Sequence, residues 1–253
     1  MSVIDLSGKV AIVTGGSRGI GAAAAIRLAE AGASVAITYR SDRRSAAATE
    51  KQLRRFGRPS LVLRADAASS TDVRRVVKKV ISSWGRIDIL VNNAGIWKKS
   101  PVRSMTGEEW DEMLDVNLKG IFLFTKEVIP FMKKRGGKII NISSTAGQRG
   151  EPYHSHYAAS KGAAIAFTKS VAVELAPYNI QVNCVAPGWV DTVMSRSVLR
   201  NRSTRKAIED TIPRGVVASA DDIAGPILFL ASDLSNHMIG ATLSVNGGGV
   251  MAP

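Results

Sequence analysis

Short apolar segments alternate with longer amphipathic segments along the chain. Strands are predicted at residues 10–14, 35–39, 61–64, 87–91, 138–142, 180–185 and 241–245. Helices are predicted at residues 19–31, 45–56, 71–84, 108–134 (as one long helix or two), 155–175 and 221–231, with a looser region at 187–213. Because the strands are short and continuously apolar, they are expected to be buried on both faces. The alternation predicts an α/β fold: a doubly wound parallel sheet with helices on both faces.

The composition is that of one globular domain. The chain has 253 residues, of which 45% are hydrophobic and 22% charged, and no Pro- or Ser-rich linker divides it, so residues 1–253 are predicted to form a single domain. No segment approaches the ~20 apolar residues of a membrane span, and the N-terminus lacks the basic and apolar regions of a secretory signal. The single cysteine, Cys184, lies in an apolar run and is expected in the core. These features predict a cytoplasmic location.

The chain is strongly basic, with 34 Lys and Arg against 21 Asp and Glu and a formal net charge of +13. Such a charge suits nucleic acid, an acidic protein or a phosphate-rich ligand. The basic residues are scattered in pairs and short runs, mostly at helix-surface positions, and accompany no recognised nucleic-acid-binding motif. We therefore expect a solvated basic face, and neither nucleic acid nor a membrane as partner.

A glycine-rich segment follows the first predicted strand and opens the first helix, with glycines at positions 15, 19 and 21. Glycines allow a sharp turn and a close approach to a pyrophosphate, and the helix directs its N-terminal N–H groups at the phosphates. The spacing differs from the usual G-x-G-x-x-G, and glycine turns between strands and helices are common. The segment indicates, without establishing, a Rossmann-type dinucleotide site.

The end of the second predicted strand indicates which dinucleotide binds. Selectivity for NAD commonly rests on an acidic residue there, which accepts hydrogen bonds from the ribose. This strand ends Tyr39-Arg40-Ser41, and Arg40 with Ser41 can hold a 2′-phosphate, with Arg18 within reach. The cofactor is therefore predicted to be NADP(H). The nearby Asp42 leaves open a bond to the ribose instead.

Tyr157 and Lys161 are four residues apart, which places both side chains on one face of a helix. A phenol ordinarily keeps its proton until pH about 10. A neighbouring ammonium favours the phenolate, so the pair is predicted to transfer a proton near neutral pH. The same spacing occurs by chance on many helix surfaces, so its weight depends on the other motifs.

Those motifs resemble the short-chain dehydrogenase/reductase family, in order and spacing, over essentially the whole chain. They are the glycine loop at 14–21, Asn92-Asn93-Ala94-Gly95, Asn117 in Asp115-Val116-Asn117, Ser144 in Asn141-Ile142-Ser143-Ser144, Tyr157 with Lys161, and Pro187-Gly188. Each motif is weak alone, whereas the set is specific. The resemblance implies a Rossmann-type fold and hydride transfer between a nicotinamide cofactor and a carbonyl or secondary alcohol.

The resemblance also implies a catalytic role for each of four residues. Tyr157 would give its proton to the carbonyl oxygen, and Lys161 would lower the pKa of that phenol and hold the nicotinamide ribose. Ser144, 13 residues before Tyr157, would hydrogen-bond the substrate oxygen, whereas Ser143 would pack or bond to backbone. Asn117 would anchor a water that links Lys161 to solvent.

Cofactor contacts are implied after most of the strands, with Asp66 at the adenine amino group and the Asn92 segment at the riboses. The full implied set is Gly15, Ser17, Arg18, Gly19, Ile20, Gly21, Tyr39, Arg40, Ser41, Asp66, Ala67, Asn93, Ala94, Gly95, Tyr157, Lys161, Pro187, Gly188, Val190 and Thr192. None of these positions needs a metal. His154 and His156, next to Tyr157, are expected to lie on the surface or to line the pocket.

Substrate choice is expected to reside in three loops, at about 96–105, 148–156 and 189–213. Trp97 and Trp189 are predicted to form apolar walls. Five arginines could attract a negative substrate: Arg149, Arg196, Arg200, Arg202 and Arg205.

The most similar subgroup is the 3-ketoacyl-acyl-carrier-protein reductases, which grip the acidic carrier protein with two arginines. Arg135 matches one of them, but Tyr178 stands at the other position. A 3-ketoacyl thioester or related ketone is therefore the expected substrate, with acyl carrier protein as a possible partner. Sugar or polyol dehydrogenases share the segment at 221–226 and a histidine before the tyrosine, and stay open as an alternative. A non-catalytic NADP-binding regulator is the alternative of another class.

The predicted helix at 155–175 is rich in small residues on several faces, at positions 158, 159, 162, 163, 164 and 166. A helix that is apolar all round is usually buried. Packing of this helix against a second subunit is therefore expected, in a homotetramer of the kind common in the family.

Overall fold

A computed structural model describes residues 4–251, and within them seven strands form one parallel sheet. The strands are β1 Val10–Val13, β2 Ser34–Tyr39, β3 Ser60–Arg64, β4 Ile89–Asn92, β5 Gly137–Ile142, β6 Ile180–Pro187 and β7 Thr242–Val245. Their order across the sheet is β3-β2-β1-β4-β5-β6-β7, and every pairing is parallel. The predicted α/β fold and the predicted strands are confirmed, with boundaries moved by one or two residues.

The helices also follow the predicted order. They are α1 Gly19–Glu30, α2 Arg43–Leu53, α3 Ser70–Trp84, α4 Gly107–Leu114, α5 Gly120–Met132, α6 Thr145–Arg149, α7 Ser155–Leu175, α8 Arg196–Leu199, α9 Arg202–Glu209 and α10 Ala220–Ala231. The long helix predicted at 108–134 consists of α4 and α5, joined by a π-helical turn at Asp115–Lys119. The short helices α6, α8 and α9 were not predicted, and α8 and α9 lie in the region expected to be looser.

The core has two layers, one on each face of the sheet. Successive residues of β1 face opposite layers, because side chains alternate along a strand: Val13 contacts the layer under α1 and α10, and Ile12 contacts the layer under α3, α5 and α7. All of β1 is buried, which explains its uninterrupted apolar sequence. Burial on both faces confirms the doubly wound arrangement.

The order of the strands fixes where a ligand can bind. The chain proceeds outward from β1 through β2 to β3, and then returns to add β4 on the other side of β1. The crevice outside the carboxyl ends of the strands at such a reversal is the usual ligand site of a doubly wound sheet. The glycine-rich loop follows β1 and the Asn92 segment follows β4, so both face this crevice. In residues 4–251, no helix is long and apolar enough to cross a membrane.

Candidate active site

The glycine-rich loop has the shape of a diphosphate cradle. Gly15 and Gly19 have φ angles of +62° and +56°, a left-handed conformation that favours glycine. A Cβ atom at Gly21 would lie 2.4 Å from Asn93 Nδ2, so only glycine fits there. The first turn of α1 has no side-chain cap, because Arg18 at the N-cap position makes no capping hydrogen bond. Its N–H groups are therefore free of side-chain caps and could receive the phosphates of a dinucleotide.

Thr14 joins this loop to the segment that follows β4. Its hydroxyl accepts hydrogen bonds from the backbone N–H groups of Asn93 and Ala94, each at 2.9 Å. The Asn93 side chain in turn donates to the Thr14 carbonyl at 2.9 Å. Two of the predicted cofactor segments are thus held in fixed register. Sequence reasoning placed Thr14 only within the loop, since a single hydroxyl carries no signal of this role.

The predicted adenosine end carries two exposed arginines. Arg40 pairs with Asp66 at 3.3 Å, and Arg18 pairs with Asp42 at 3.1 Å. Exposed ion pairs contribute only about 0–1 kcal/mol, so a phosphate can displace either carboxylate. Asp42 is also the N-cap of α2, where it accepts the Ser45 N–H at 2.9 Å. Because the Asp42 carboxylate already caps α2, it is poorly placed to accept hydrogen bonds from a ribose. This favours a 2′-phosphate contact over a bond between Asp42 and the ribose.

Tyr157 and Lys161 lie in the first turns of α7 and line the same cleft. Lys161 Nζ is 5.8 Å from the centroid of the Tyr157 ring and donates to the Ile142 carbonyl at 2.8 Å. Ser143 is buried and its hydroxyl donates to the Lys161 carbonyl at 2.7 Å, so its predicted bond to the backbone is confirmed. Ser144, the preferred serine, lines the cleft beside the phenol.

The ionisation of the pair differs from the sequence-based expectation. Burial raises the pKa of Tyr157 to about 12, and a hydrogen bond with Ser144 opposes that rise. Burial lowers the pKa of Lys161 to about 8. Lys161 is not among the groups that shift the pKa of the phenol here, so its expected lowering of that pKa stays a prediction. With its pKa raised, the phenol is protonated at neutral pH and suited to donate.

Asn117 lies in the π-helical turn between α4 and α5 and is fully buried. Its Oδ1 accepts the Ile96 N–H at 2.8 Å, and its Nδ2 donates to the Ile96 carbonyl at 3.0 Å and to Ser160 Oγ at 3.1 Å. Such π turns are frequent at functional sites. A Cβ at Gly95 would lie 3.2 Å from Asn117 Oδ1 and 3.5 Å from Lys161 Nζ, so the loop after β4 passes tightly over both side chains. Asn117 therefore positions the floor of the site, and its predicted water stays a prediction.

The structure brings many of the predicted residues into one cleft of about 230 Å³. Those that line it are Ile20, Asn93, Gly95, Ser144, Tyr157, Lys161, Pro187, Gly188, Val190 and Thr192. A second group lies at or after the carboxyl ends of β2 and β3, or in the glycine loop, outside this cleft: Gly15, Ser17, Arg18, Gly19, Gly21, Tyr39, Arg40, Ser41, Asp66 and Ala67. The predicted cofactor residues therefore divide between the cleft and the region around the carboxyl ends of β2 and β3.

Aromatic side chains form one wall of the cleft, as predicted for Trp97 and Trp189. Trp97 stacks on His154 at 4.6 Å between centroids and meets Trp189 edge-on at 5.8 Å. Its indole N–H donates to Glu151, 3.2 Å from Oε1 and 3.3 Å from Oε2. Glu151 lines the cleft although it was not singled out, because only its loop at 148–156 could be predicted from sequence. His156 is instead buried in the protein, and burial lowers its pKa.

The arginines expected to attract a negative substrate have different surroundings. Arg205 already pairs with Asp191 at 2.8 Å and with Glu209 at 3.0 Å, so its charge is largely neutralised. Arg149 lines the cleft and is exposed, with no ion pair among the described residues. The prediction therefore applies to Arg149 better than to Arg205.

Known proteins resemble this chain along nearly its full length. The family model described as enoyl-(acyl carrier protein) reductase matches residues 15–249. A 3-oxoacyl-acyl-carrier-protein reductase of Staphylococcus epidermidis is 39% identical over 241 residues, which are 95% of this chain and 98% of that protein. A 3-oxoacyl-acyl-carrier-protein reductase of a Synechocystis species is 39% identical over 248 residues, 97% of this chain and 98% of the relative.

Solved structures agree with the sequence matches. A double mutant of a Serratia marcescens short-chain dehydrogenase/reductase has a TM-score of 0.91 and 37% identity over 96% of this chain and 98% of that one. A dehydrogenase/reductase from Sinorhizobium meliloti has a TM-score of 0.92 and 36% identity over 98% and 97% of the two chains. The chain thus belongs to the short-chain dehydrogenase/reductase family, and it is an oxidoreductase that acts on CH–OH groups.

Proposed function

We propose that this protein is an NADPH-dependent reductase of a 3-ketoacyl thioester or a related ketone, with Tyr157 as general acid. One observation carries the proposal: the Tyr157 phenol, the Ser144 hydroxyl and the Ile20 end of the glycine loop line a single cleft. The cleft therefore contains a proton donor, a hydrogen-bond donor for the substrate oxygen and one end of the glycine loop. The 3-oxoacyl-acyl-carrier-protein reductases at 39% identity support the acyl substrate.

A bound nicotinamide cofactor would supply the hydride, and the residues of this chain would do the rest of the chemistry. Tyr157 gives its proton to the carbonyl oxygen, and in the reverse direction its phenolate takes the proton of the alcohol. Ser144 donates a hydrogen bond to the same oxygen and stabilises the charge that develops there. Lys161 holds the nicotinamide ribose with its ammonium and favours the phenolate left after proton transfer. Asn117 anchors the water through which the proton is replaced.

The choice of NADPH rests on the residues around the carboxyl end of β2. Arg40 and Arg18 present guanidinium groups that can hold a 2′-phosphate by paired hydrogen bonds, and Ser41 adds a hydroxyl donor. Both arginine pairs are exposed and hence weak, while Asp42 is committed to the cap of α2. The two carboxylates near the strand tip, Asp42 and Asp66, are each paired with an arginine, so they are less available to the hydroxyls of a ribose without the phosphate.

Acyl carrier protein is the partner we propose for the basic surface after α5. Lys133, Lys134 and Arg135 are exposed there, and Lys133 Nζ lies 4.4 Å from the centroid of the Tyr178 ring. The side chain at the second carrier-binding position is thus aromatic, but a lysine is held directly over it. An acidic carrier would still meet a basic surface. Charge reversal at Arg135 should raise the KM for a ketoacyl carrier protein and leave the KM for the same acyl group on coenzyme A within about twofold.

A sugar or polyol dehydrogenase is the second candidate, because the Glu151 carboxylate in the cleft can accept hydrogen bonds from hydroxyl groups. The deciding experiment follows the oxidation of NADPH and NADH with ketoacyl thioesters, diketones and aldoses, and the reduction of NADP⁺ with polyols. Turnover of β-ketoacyl thioesters with preference for NADPH supports the first proposal. Turnover of an aldose or polyol without any thioester activity would replace it with the second.

We further propose that the protein is a homotetramer. On α7, Val173 is 72% exposed, and on α5 Phe122 and Phe131 are also exposed, which is a costly surface for a monomer. Sedimentation as a tetramer at micromolar concentration is the expected result, and a monomer at that concentration would contradict the proposal.

A further inference from the structure

We propose that Glu151 makes the substrate cleft reject a carboxylate beside the reacting carbonyl and accept uncharged esters, thioesters or hydroxyl-bearing ketones. The inference rests on the proposed function and deepens it, since it excludes free keto acids from the substrate class. A free 3-keto acid carries its carboxylate carbon only two bonds from the ketone carbon. The corresponding ester or thioester is neutral at that position.

Glu151 is rigidly placed in the cleft. Its side chain is only 23% exposed, and both of its oxygens lie within 3.3 Å of the Trp97 indole nitrogen. Trp97 is itself fixed, by stacking on His154 and by edge contact with Trp189. The indole contact and the packing of Trp97 hold the Glu151 carboxylate in the cleft wall, where an entering anion would meet its charge.

Glu151 has no direct ion pair with a lysine or arginine among the described residues, although Arg149 and Lys161 line the same cleft. His154 Nδ1 is 3.5 Å from Glu151 Oε1 but 3.0 Å from the Pro152 carbonyl, so the ring N–H is directed at a backbone acceptor. Lys161, from α7, donates to the Ile142 carbonyl, and Arg149, from α6, lines the cleft with an exposed side chain.

The negative field of Glu151 reaches the reacting position. Glu151 is among the causes that raise the pKa of Tyr157, in the same direction as burial and weaker than it. A charge that disfavours a phenolate at Tyr157 also disfavours a substrate carboxylate bound beside that phenol. Two like charges held close together in a partly buried site change a dissociation constant by about tenfold or more.

The test compares acetoacetate with methyl acetoacetate, which differ in charge and little in shape. For the wild type and Glu151→Gln, two quantities are measured with each compound: kcat/KM with NADPH, and Kd by ligand-observed NMR. Each quantity is then expressed as the ratio of its value for acetoacetate to its value for methyl acetoacetate. Glutamine keeps an oxygen acceptor for the Trp97 indole and removes only the charge. We expect binding and turnover of the acid, relative to the ester, each to improve at least about tenfold in Glu151→Gln.

Two further variants separate charge from structure. Glu151→Asp keeps the charge, so its ratios should stay close to those of the wild type. Glu174→Gln removes an exposed negative charge near the other end of α7, about 25 Å along the helix, and should leave both ratios within about twofold.

The outcomes distinguish this inference from the proposed reductase activity. If neither compound is turned over but the acid gains affinity relative to the ester in Glu151→Gln, the charge filter stands and the proposed activity fails. If the ester is reduced and both ratios are unchanged in Glu151→Gln, the filter is overturned and the reductase stands. Failure of the ester to bind the wild-type cleft would overturn the filter as well.

Discussion

The ammonium nitrogen of Lys161 donates to the main-chain carbonyl of Ile142 at 2.8 Å, so a buried charge on α7 is tied to the last residue of β5. An ammonium in solvent donates several hydrogen bonds to water, and one backbone carbonyl replaces only part of them. Burial therefore lowers the pKa of Lys161 to about 8. This residue destabilises the fold at neutral pH, which is the usual situation of a side chain kept for function.

Replacement of Lys161 by methionine should therefore stabilise the protein and abolish its activity. A lysine whose pKa falls from its ordinary 10.5 to about 8 carries about 3 kcal/mol of destabilisation at neutral pH. The lost hydrogen bond offsets part of this, so we expect the free energy of unfolding at pH 7 to rise by about 1–3 kcal/mol. Urea denaturation at pH 7 measures the change.

The pH dependence gives the control for that variant. Because the pKa of Lys161 is lowered in the folded state, the destabilisation has its full size below about pH 8. It disappears as the pH rises toward 10.5. The advantage of Lys161→Met over the wild type should therefore shrink between pH 8 and pH 10. The exposed Lys169 on the same helix is the matched position, and its replacement by methionine should change stability by less than about 0.5 kcal/mol. A Lys161→Met protein less stable than the wild type at pH 7 would contradict this account.

The reduction rate should fall as pH rises through about 8. The Tyr157 phenol keeps its proton up to about pH 12, so it is not the group that limits the rate in this range. The Lys161 ammonium loses its proton near pH 8, and with it the charge that stabilises the phenolate formed in the reaction. Profiles of kcat/KM from pH 6 to 10 test this expectation. A rate that stays level to pH 10 would show that Lys161 keeps its proton, and that burial has less effect than proposed.

Tyr157→Phe should lower kcat by about 10²–10⁴-fold, because the proton donor is removed while the ring and its packing remain. The Kd for NADPH should change by less than about threefold, and fluorescence titration measures it. Ser144→Ala, which removes one donor to the substrate oxygen, should cost about 10²-fold or more in kcat. Full reductase activity in Tyr157→Phe would refute the catalytic assignment and leave the non-catalytic NADP-binding regulator as the better interpretation.

The fold could be predicted from sequence because its signals are local. Continuous apolar runs such as residues 10–13 belong to strands buried on both faces, and the alternation with amphipathic segments gives the layers. Most of the site residues could be found because they stand at strand ends, in the glycine loop or in the first turns of α7, whereas Asn117, in the π-helical turn, was found through its motif. The short helices α6, α8 and α9 have 5, 4 and 8 residues, too few for a periodic pattern to emerge.

The electrostatics of the site could not be predicted from the sequence. The spacing of Tyr157 and Lys161 places them on one face of a helix but does not show how far each is buried, and burial decides the direction of both pKa shifts. The contact of Glu151 with Trp97 joins positions 54 residues apart. No spacing rule connects two loops at that separation, so the charged wall of the cleft required the structure.

Arg40→Asp should reverse the preference for the cofactor. The guanidinium that can hold the 2′-phosphate is lost, and a carboxylate that can accept from the ribose hydroxyls takes its place at the tip of β2. We expect the ratio of kcat/KM for NADPH to that for NADH to fall by about 10²-fold or more. Because Arg40 pairs with Asp66 at 3.3 Å, an aspartate at position 40 would also repel Asp66.

Two control variants separate the phosphate contact from the added charge. Arg40→Gln loses the phosphate contact without that repulsion, and should lower the ratio by about tenfold. Arg55→Asp, an exposed position after α2, controls for net charge and should leave the ratio unchanged. NADPH binding that is equally tight in the wild type and Arg40→Asp would show that Arg40 does not contact the phosphate.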